Sequence, residues 1–164
     1  MEIQILKKEK CDENIINHSI AVRDKALEIA KQFDNVDLDI IKKGALLHDI
    51  GRCKTHNINH AIVGARLAKK YGYSEEVIKI IERHVGAGIS EEESSDIGLP
   101  KKSYIPKTLE EKIVAHSDNL IHGDKEVSID FVIKKWEKCM KNPKKNIERL
   151  KELNELLIEP FEHK

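Results

Sequence analysis

Apolar residues recur along this chain at steps of three, four and seven, and no run alternates with period two. Over residues 13–33, Ile15, Val22, Ala26, Ile29 and Phe33 share one helical face, and Asp12 stands at the N-cap position. A second helix is expected from Leu38 to His48 with Asp37 as its cap. Its Ile40, Ile41, Ala45, Leu46 and Leu47 make it apolar almost all round, which places it at the centre of the fold. Gly51 is a stop signal, and residues 52–57 read as a polar loop. A third helix is expected over His60–Tyr71, closed by Gly72, and a fourth over Glu75–Val85, opened by Ser74 and closed by Gly86. From residue 86 to 108 the periodicity vanishes into glycines, an acidic run at Glu91-Glu92-Glu93 and Lys101-Lys102, which predicts an irregular, mobile loop. A fifth helix opens at Thr108 and carries Leu109, Ile113, Val114 and Leu120. Two more follow over residues 128–141 and 143–157, the last with Pro143 at its first position. The pattern predicts an all-α, single-domain bundle over 1–164, with its core at about 13–121 and C-terminal helices at about 128–158.

Composition narrows the function. A chain of 164 residues buries a sizeable core without help from metal or disulfides. The 29 basic and 29 acidic residues balance, which argues against extended nucleic acid as partner and leaves room for a small phosphorylated ligand. Cys11, Cys53 and Cys139 are odd in number, distant and without a CxxC spacing, so neither a disulfide framework nor a zinc knuckle is expected, in keeping with a reducing cytoplasm. No apolar run is long enough for a signal peptide or a membrane span, so the expectation is a soluble cytoplasmic protein without a membrane partner.

Candidate chemistry sits where the apolar faces carry polar residues. His48-Asp49 directly follows Ala45-Leu46-Leu47, and a carboxylate is almost never fully buried unless paired or holding a metal. His18, His60, His84 and Asp118 likewise lie on or at the ends of apolar helices, His84 sharing a face with Val77, Ile80 and Ile81. Taken singly, each is more often a satisfied core residue. Together, these six buried polar groups would each cost roughly 1–3 kcal/mol in lost solvation, whereas one or two divalent cations satisfy them all. Gly64, one turn after His60, leaves room beside that imidazole for a substrate or a neighbouring element. His56, His122 and His163 are expected at the surface. His116 is left open between the core and a place beside the ligands, and Arg83 is expected to form an ion pair on its helix surface.

The order His18, His48-Asp49-Ile50-Gly51, Asp118 resembles the HD superfamily of metal-dependent phosphohydrolases, whose pattern is H…HD…D on a helical core. Further blocks, His60-Ala-Ile-Val-Gly64, Ile80-Ile81-Glu82-Arg83-His84 and Lys112 to Leu120, resemble the dinuclear branch that includes diadenosine tetraphosphate hydrolases. The resemblance implies that His18, His48, Asp49 and Asp118 hold one cation and that Asp49 bridges to a second held by His60 and His84. The donor set suits Fe, Mn, Co, Ni or Zn, with Mg admissible, better than calcium.

The expected reaction is hydrolysis of a phosphoester or phosphoanhydride of a nucleotide or related metabolite by metal-activated water. Asp49 and Arg52 are the expected catalytic residues; Arg52, Lys54 and Arg23 are the phosphate-binding candidates, guanidinium being matched to phosphate by its forked donors. Tyr104 is a candidate for stacking on a base, Lys101, Lys102 and Lys107 for closing over a ligand, and the last helix offers an apolar face for a homodimer. Two other readings stand beside this one: a nucleotide-sensing module without turnover, and a phosphodiesterase acting on cyclic phosphates or RNA ends.

Overall fold

The computed structural model describes residues 1–162, so the expectation for His163 lies outside the described residues. The chain is an all-α bundle: α1 (Glu2–Lys8), α2 (Glu13–Ala30), α3 (Leu38–Leu47), a 3-10 turn (Ile50–Cys53), α4 (His60–Lys70), α5 (Glu75–Glu82), α6 (Glu91–Asp96), α7 (Leu109–Asn119), a two-stranded ribbon, α8 (Ile129–Cys139) and α9 (Lys144–Leu157). The ribbon pairs β1 (Ile121–His122) with β2 (Lys125–Glu126), antiparallel. The predicted caps are in place. Asp12 accepts the Ile15 N–H at 3.0 Å, Asp37 those of Asp39 and Ile40, Ser74 that of Val77 and Thr108 that of Glu111; Ser128, not foreseen as a cap, accepts that of Phe131.

α3 is central, as its all-round apolarity predicts. Its Ile41 and Ala45 join one cluster with Val22, Ile80, Ile113, Trp136 and Leu150, while its Leu47 joins another with Leu6, Ile16, Ala68, Val77 and Ile81. α5 belongs to both clusters through Ile80 and Ile81, so the segments that follow α3 and α5 are fixed from two sides.

Four local expectations change. Residues 86–108 are not an irregular loop. They contain α6, opened by a capping box in which Ser90 and Glu93 exchange side-chain and backbone hydrogen bonds. They also fold over a small cluster of Ile89, Leu99 and Tyr104. Arg149 of α9 ties this segment down through Glu93 at 2.7 Å and the Gly88 carbonyl at 3.2 Å. α5 ends at Glu82, so Arg83 and His84 lie beyond it rather than on it. Cys11 and Cys53 form a disulfide across Cα atoms 4.9 Å apart, against the expectation of free thiols, because α1 packs along α3 and delivers Cys11 to the end of the 3-10 turn. Arg83 forms its ion pair in the interior, with Glu111 of α7 at 2.8 Å. No helix among the described residues is long and apolar enough to cross a membrane.

Candidate metal centre

Four segment ends and one helix face converge around Asp49. α2 supplies His18 from a face that elsewhere buries Val22 and Ala26; His48 and Asp49 follow α3; His60 opens α4; His84 follows α5; and Asp118 lies in the last turn of α7. The 3-10 turn after Asp49 runs against the start of α4, and only glycine fits there. A Cβ on Gly51 would overlap the His60 carbonyl and stand 2.8 Å from the Gly64 nitrogen. The space beside Gly64 is filled by Ile81 and the Gly51 backbone, so it accommodates a neighbouring element rather than a substrate.

Each imidazole is aimed by its outer nitrogen. The Nδ1 atoms of His18, His48 and His84 each lie 2.6 Å from a backbone carbonyl, those of Gly123, Ala45 and Ile81, and His60 Nδ1 lies 2.9 Å from the Asn57 carbonyl. A carbonyl only accepts, so all four Nδ1 atoms carry the proton and donate it. In a neutral ring the lone pair is then on Nε2. The Nε2 atoms face inward in pairs, His18 to His48 at 3.2 Å and His60 to His84 at 3.1 Å. Two lone pairs at that separation repel, and a cation between them removes the conflict.

The carboxylates complete two nests. Asp118 Oδ1 lies 2.9 Å from His18 Nε2 and 3.3 Å from His48 Nε2. Asp49 divides its oxygens. Oδ2 is 3.5 Å from both His18 and His48, whereas Oδ1 is 3.2 Å from His84 and 3.5 Å from His60. Asp49 Oδ1 is buried and makes no well-aligned hydrogen bond, its nearest nitrogens being Arg52 Nε and His84 Nε2, each at 3.2 Å. Burial works against ionisation of Asp49, but His48, His84 and Arg52 outweigh it and hold its carboxyl well below the usual range. Burial also opposes charge on His48, and Asp49 and Asp118 more than offset this, raising it to about 9. His60 goes the other way, pushed down to about 4 by burial and then by His84 and Arg52, which keeps it a neutral donor at physiological pH. Nitrogen and oxygen donors alone, the imidazoles oriented from behind and their Nε2 atoms gathered around two carboxylates, fit divalent cations.

The phosphate-binding candidates separate. Arg52 Nε is 3.2 Å from Asp49 Oδ1 and its side chain lines a cavity of about 430 Å³ that opens on His18, Asp49 and Asp118. Lys54 turns away to Glu9 at 3.1 Å, which also accepts from Tyr71, and Arg23 pairs with Asp24 at 3.0 Å; neither lines this cavity. Tyr104 is 2% exposed and donates its hydroxyl to the Pro100 carbonyl, so it is not free to stack on a base. Lys102 is held by Glu82 at 2.8 Å. His116 is buried against Asn154 of α9 at 2.9 Å and belongs to the core. His56 is exposed as expected; His122 is exposed too, but into the cavity, with Asn119, Phe131, Lys135 and Trp136. The sequence carries little signal for this wall, since Phe131 and Lys135 look like ordinary surface positions of α8.

Comparison with known proteins places the chain. It is 49% identical over 152 residues to an uncharacterized protein of Methanocaldococcus jannaschii, covering 90% of both. It is 44% identical over 155 residues to the tRNA (cytidine(56)-2'-O)-methyltransferase of Picrophilus torridus, covering 94% of this chain but 45% of that enzyme, so it spans less than half of such relatives. The L. monocytogenes phosphodiesterase PgpH HD domain, solved with cyclic-di-AMP, has the same fold, with a TM-score of 0.57, 16% identity and 97% of each chain covered. The HD domain model matches residues 15–122, a span that includes all six converging histidines and aspartates, and this chain belongs to the HD domain family.

Proposed function

We propose that this chain is a metal-dependent hydrolase that cleaves a phosphoester or phosphoanhydride of a nucleotide or related small phosphorylated metabolite, with two cation positions sharing Asp49. The observation that carries the reading is the divided carboxylate of Asp49, one oxygen toward His18 and His48 and the other toward His60 and His84. Divalent cations held there supply a water acidified toward neutrality and charge to offset that of the phosphoryl oxygens.

The chain's own residues do the rest. His18, His48, His60 and His84 would offer their Nε2 atoms to the cations, which displace any proton there, with ring orientation set from behind, and Asp49 and Asp118 balance charge. Arg52 spends Nε on Asp49 and has no other partner among the described residues, so its terminal nitrogens remain to grip a phosphate that enters the cavity. A cavity of about 430 Å³ suits a small molecule rather than a duplex. The PgpH HD domain belongs to a phosphodiesterase and was solved with a cyclic dinucleotide, which favours a diester as the second form of the reading.

The test is release of phosphate or nucleotide from a panel of mononucleotides, dinucleotides and cyclic nucleotides with Mn, Fe, Co, Ni, Zn or Mg. Turnover should be abolished by chelator and by Asp49→Asn, with near two metals per chain in the wild type and fewer in His60→Ala. Tight nucleotide binding without any turnover would instead make the protein a sensor.

A further inference from the structure

The wall of the cavity opposite the ligands is built by segments that hold no metal. β1 contributes His122, α8 contributes Phe131, Lys135 and Trp136, and Asn119 stands between them and the ligands. Three features of this wall have no structural use. Phe131 is 42% exposed although it is a large apolar side chain, and its ring sits edge-to-face with His122 at 5.2 Å, forming an aromatic corner. Lys135 is exposed and has no acidic partner among the described residues. The amide nitrogen of Asn119 is buried and donates to nothing.

These groups are also tied to the metal side. The ribbon turn that follows His122 places the Gly123 carbonyl 2.6 Å from His18 Nδ1, so the segment carrying the aromatic corner is the one that aims a metal ligand. Trp136, 8% exposed, packs against Gly86, two residues beyond His84, with ring carbons 3.8 Å from the position of a Cβ there, which fixes α8 relative to the other nest. The two walls therefore face each other at a set spacing, with anion-binding groups on both and a flat apolar surface on one.

We infer that β1 and α8 form the specificity wall of this site, Phe131 with His122 stacking a planar base and Lys135 holding a second phosphoryl group beyond the one at Arg52. The inference rests on the hydrolase reading for the identity of the first phosphate, but not for the wall itself. The ligand it selects is a base-bearing compound with two phosphoryl groups. A base contributes through its π-face, so stacking tolerates different bases. A lysine contributes a point charge, so its effect follows the number of phosphoryl groups.

Calorimetric binding of ADP, AMP and ribose 5-phosphate to the metal-loaded protein tests this, with turnover followed on the same samples. The wild type should bind AMP about tenfold more tightly than ribose 5-phosphate, as one stacked base implies, and ADP more tightly than AMP. Phe131→Ala should erase the preference for AMP over ribose 5-phosphate, and Phe131→Trp should restore it. Lys135→Ala should erase the preference for ADP over AMP, and Lys135→Arg should restore it. Helical circular dichroism should be unchanged, since both side chains are at the surface. Equal wild-type binding of the three probes, no binding of any of them, or preferences unaltered in the alanine variants would overturn the wall while leaving hydrolysis of some other phosphate compound intact. Preferences that follow the variants, with no turnover of these probes or of the dinucleotides and cyclic nucleotides, would uphold the wall and refute the hydrolase reading.

Discussion

Substituting Gly51 by alanine should remove one cation while leaving the fold standing. The added Cβ would overlap the His60 carbonyl and lie 2.7 Å from that residue's carbonyl carbon and 2.8 Å from Gly64 N. Ordinary contacts are about 3.5 Å and the His60 carbonyl oxygen would stand at 1.8 Å, so the start of α4 must retreat by well over an ångström, because its obstructing atoms are backbone and have no rotamer to change. Metal–ligand distances tolerate only about 0.2 Å, so a shift of that size takes His60 out of range of a cation it would share with His84 and Asp49. His18, His48 and Asp118 lie on the far side of Asp49 and do not touch Gly51. Overpacking typically costs about 1–3 kcal/mol, and backbone against backbone belongs at the upper end, which for a chain of this size lowers Tm by about 6–12 °C. Elemental analysis of the purified variant should find near one metal per chain, and calorimetry should find the lower Tm. Two metals per chain with an unchanged Tm would refute the reasoning, since it would mean that the 3-10 turn and α4 are not locked together at this point.

Three further outcomes follow from the geometry. Glu111 is buried and takes hydrogen bonds from Arg83, Lys107 and Thr108; burial opposes its charge, but Arg83 and these donors hold its carboxyl below its ordinary 4.5. Its contribution is therefore complete above pH 4.5 and is lost as pH falls below that value, while the unfolded chain takes up the proton first. Urea unfolding should show Glu111→Gln destabilised by roughly 3 kcal/mol at pH 7, because Arg83 is left buried without its partner, with a flatter loss of stability from pH 5 to pH 3 than the wild type. Stripping metal with chelator should lower Tm, and restoring a cation at about one hundred times its Kd should return about 2.7 kcal/mol, or some 5–10 °C; an unchanged Tm would exclude tight binding. Reducing the Cys11–Cys53 bond, which spans 42 positions, should lower the unfolding free energy by about 2–4 kcal/mol without dissolving the helices, and a denaturation midpoint indifferent to reductant would contradict that.

Seven of the helices were legible because each buries an apolar stripe, six of them behind a capping side chain or proline and α4 without one, whereas α1 was not foreseen. α6 was not, since Glu91 to Asp96 has no apolar period; it is held by its capping box and by Arg149, a partner more than fifty positions away. The ribbon is only two residues per strand, below any alternation a sequence can display. The disulfide needs α1 to lie along α3, a tertiary fact with no trace in the spacing of cysteines. The six candidate ligands were legible for the opposite reason: an imidazole or carboxylate on an apolar face demands a partner. His84 was read as inward-facing from its helical neighbours, but it lies beyond the end of α5 and is turned inward by the Ile81 carbonyl instead. Lys54 and Arg23 were read from proximity in sequence, and neighbouring carboxylates claim both. The opposite wall stayed hidden because an exposed phenylalanine and lysine on an amphipathic helix carry no mark of what they face.

The carbonyls behind the imidazoles have a consequence for the order in which this centre is built. His48, His60 and His84 each donate to the carbonyl three residues earlier in their own segment, whereas His18 donates to Gly123, 105 positions away. Three of the four rings thus come pre-aimed by a single turn of their own chain and need only docking of α3, α4 and α5 to meet. His18 acquires its aim only when the last third of the chain has arrived, so a nascent or truncated protein ending before the ribbon would carry one nest assembled and the other without its bearing.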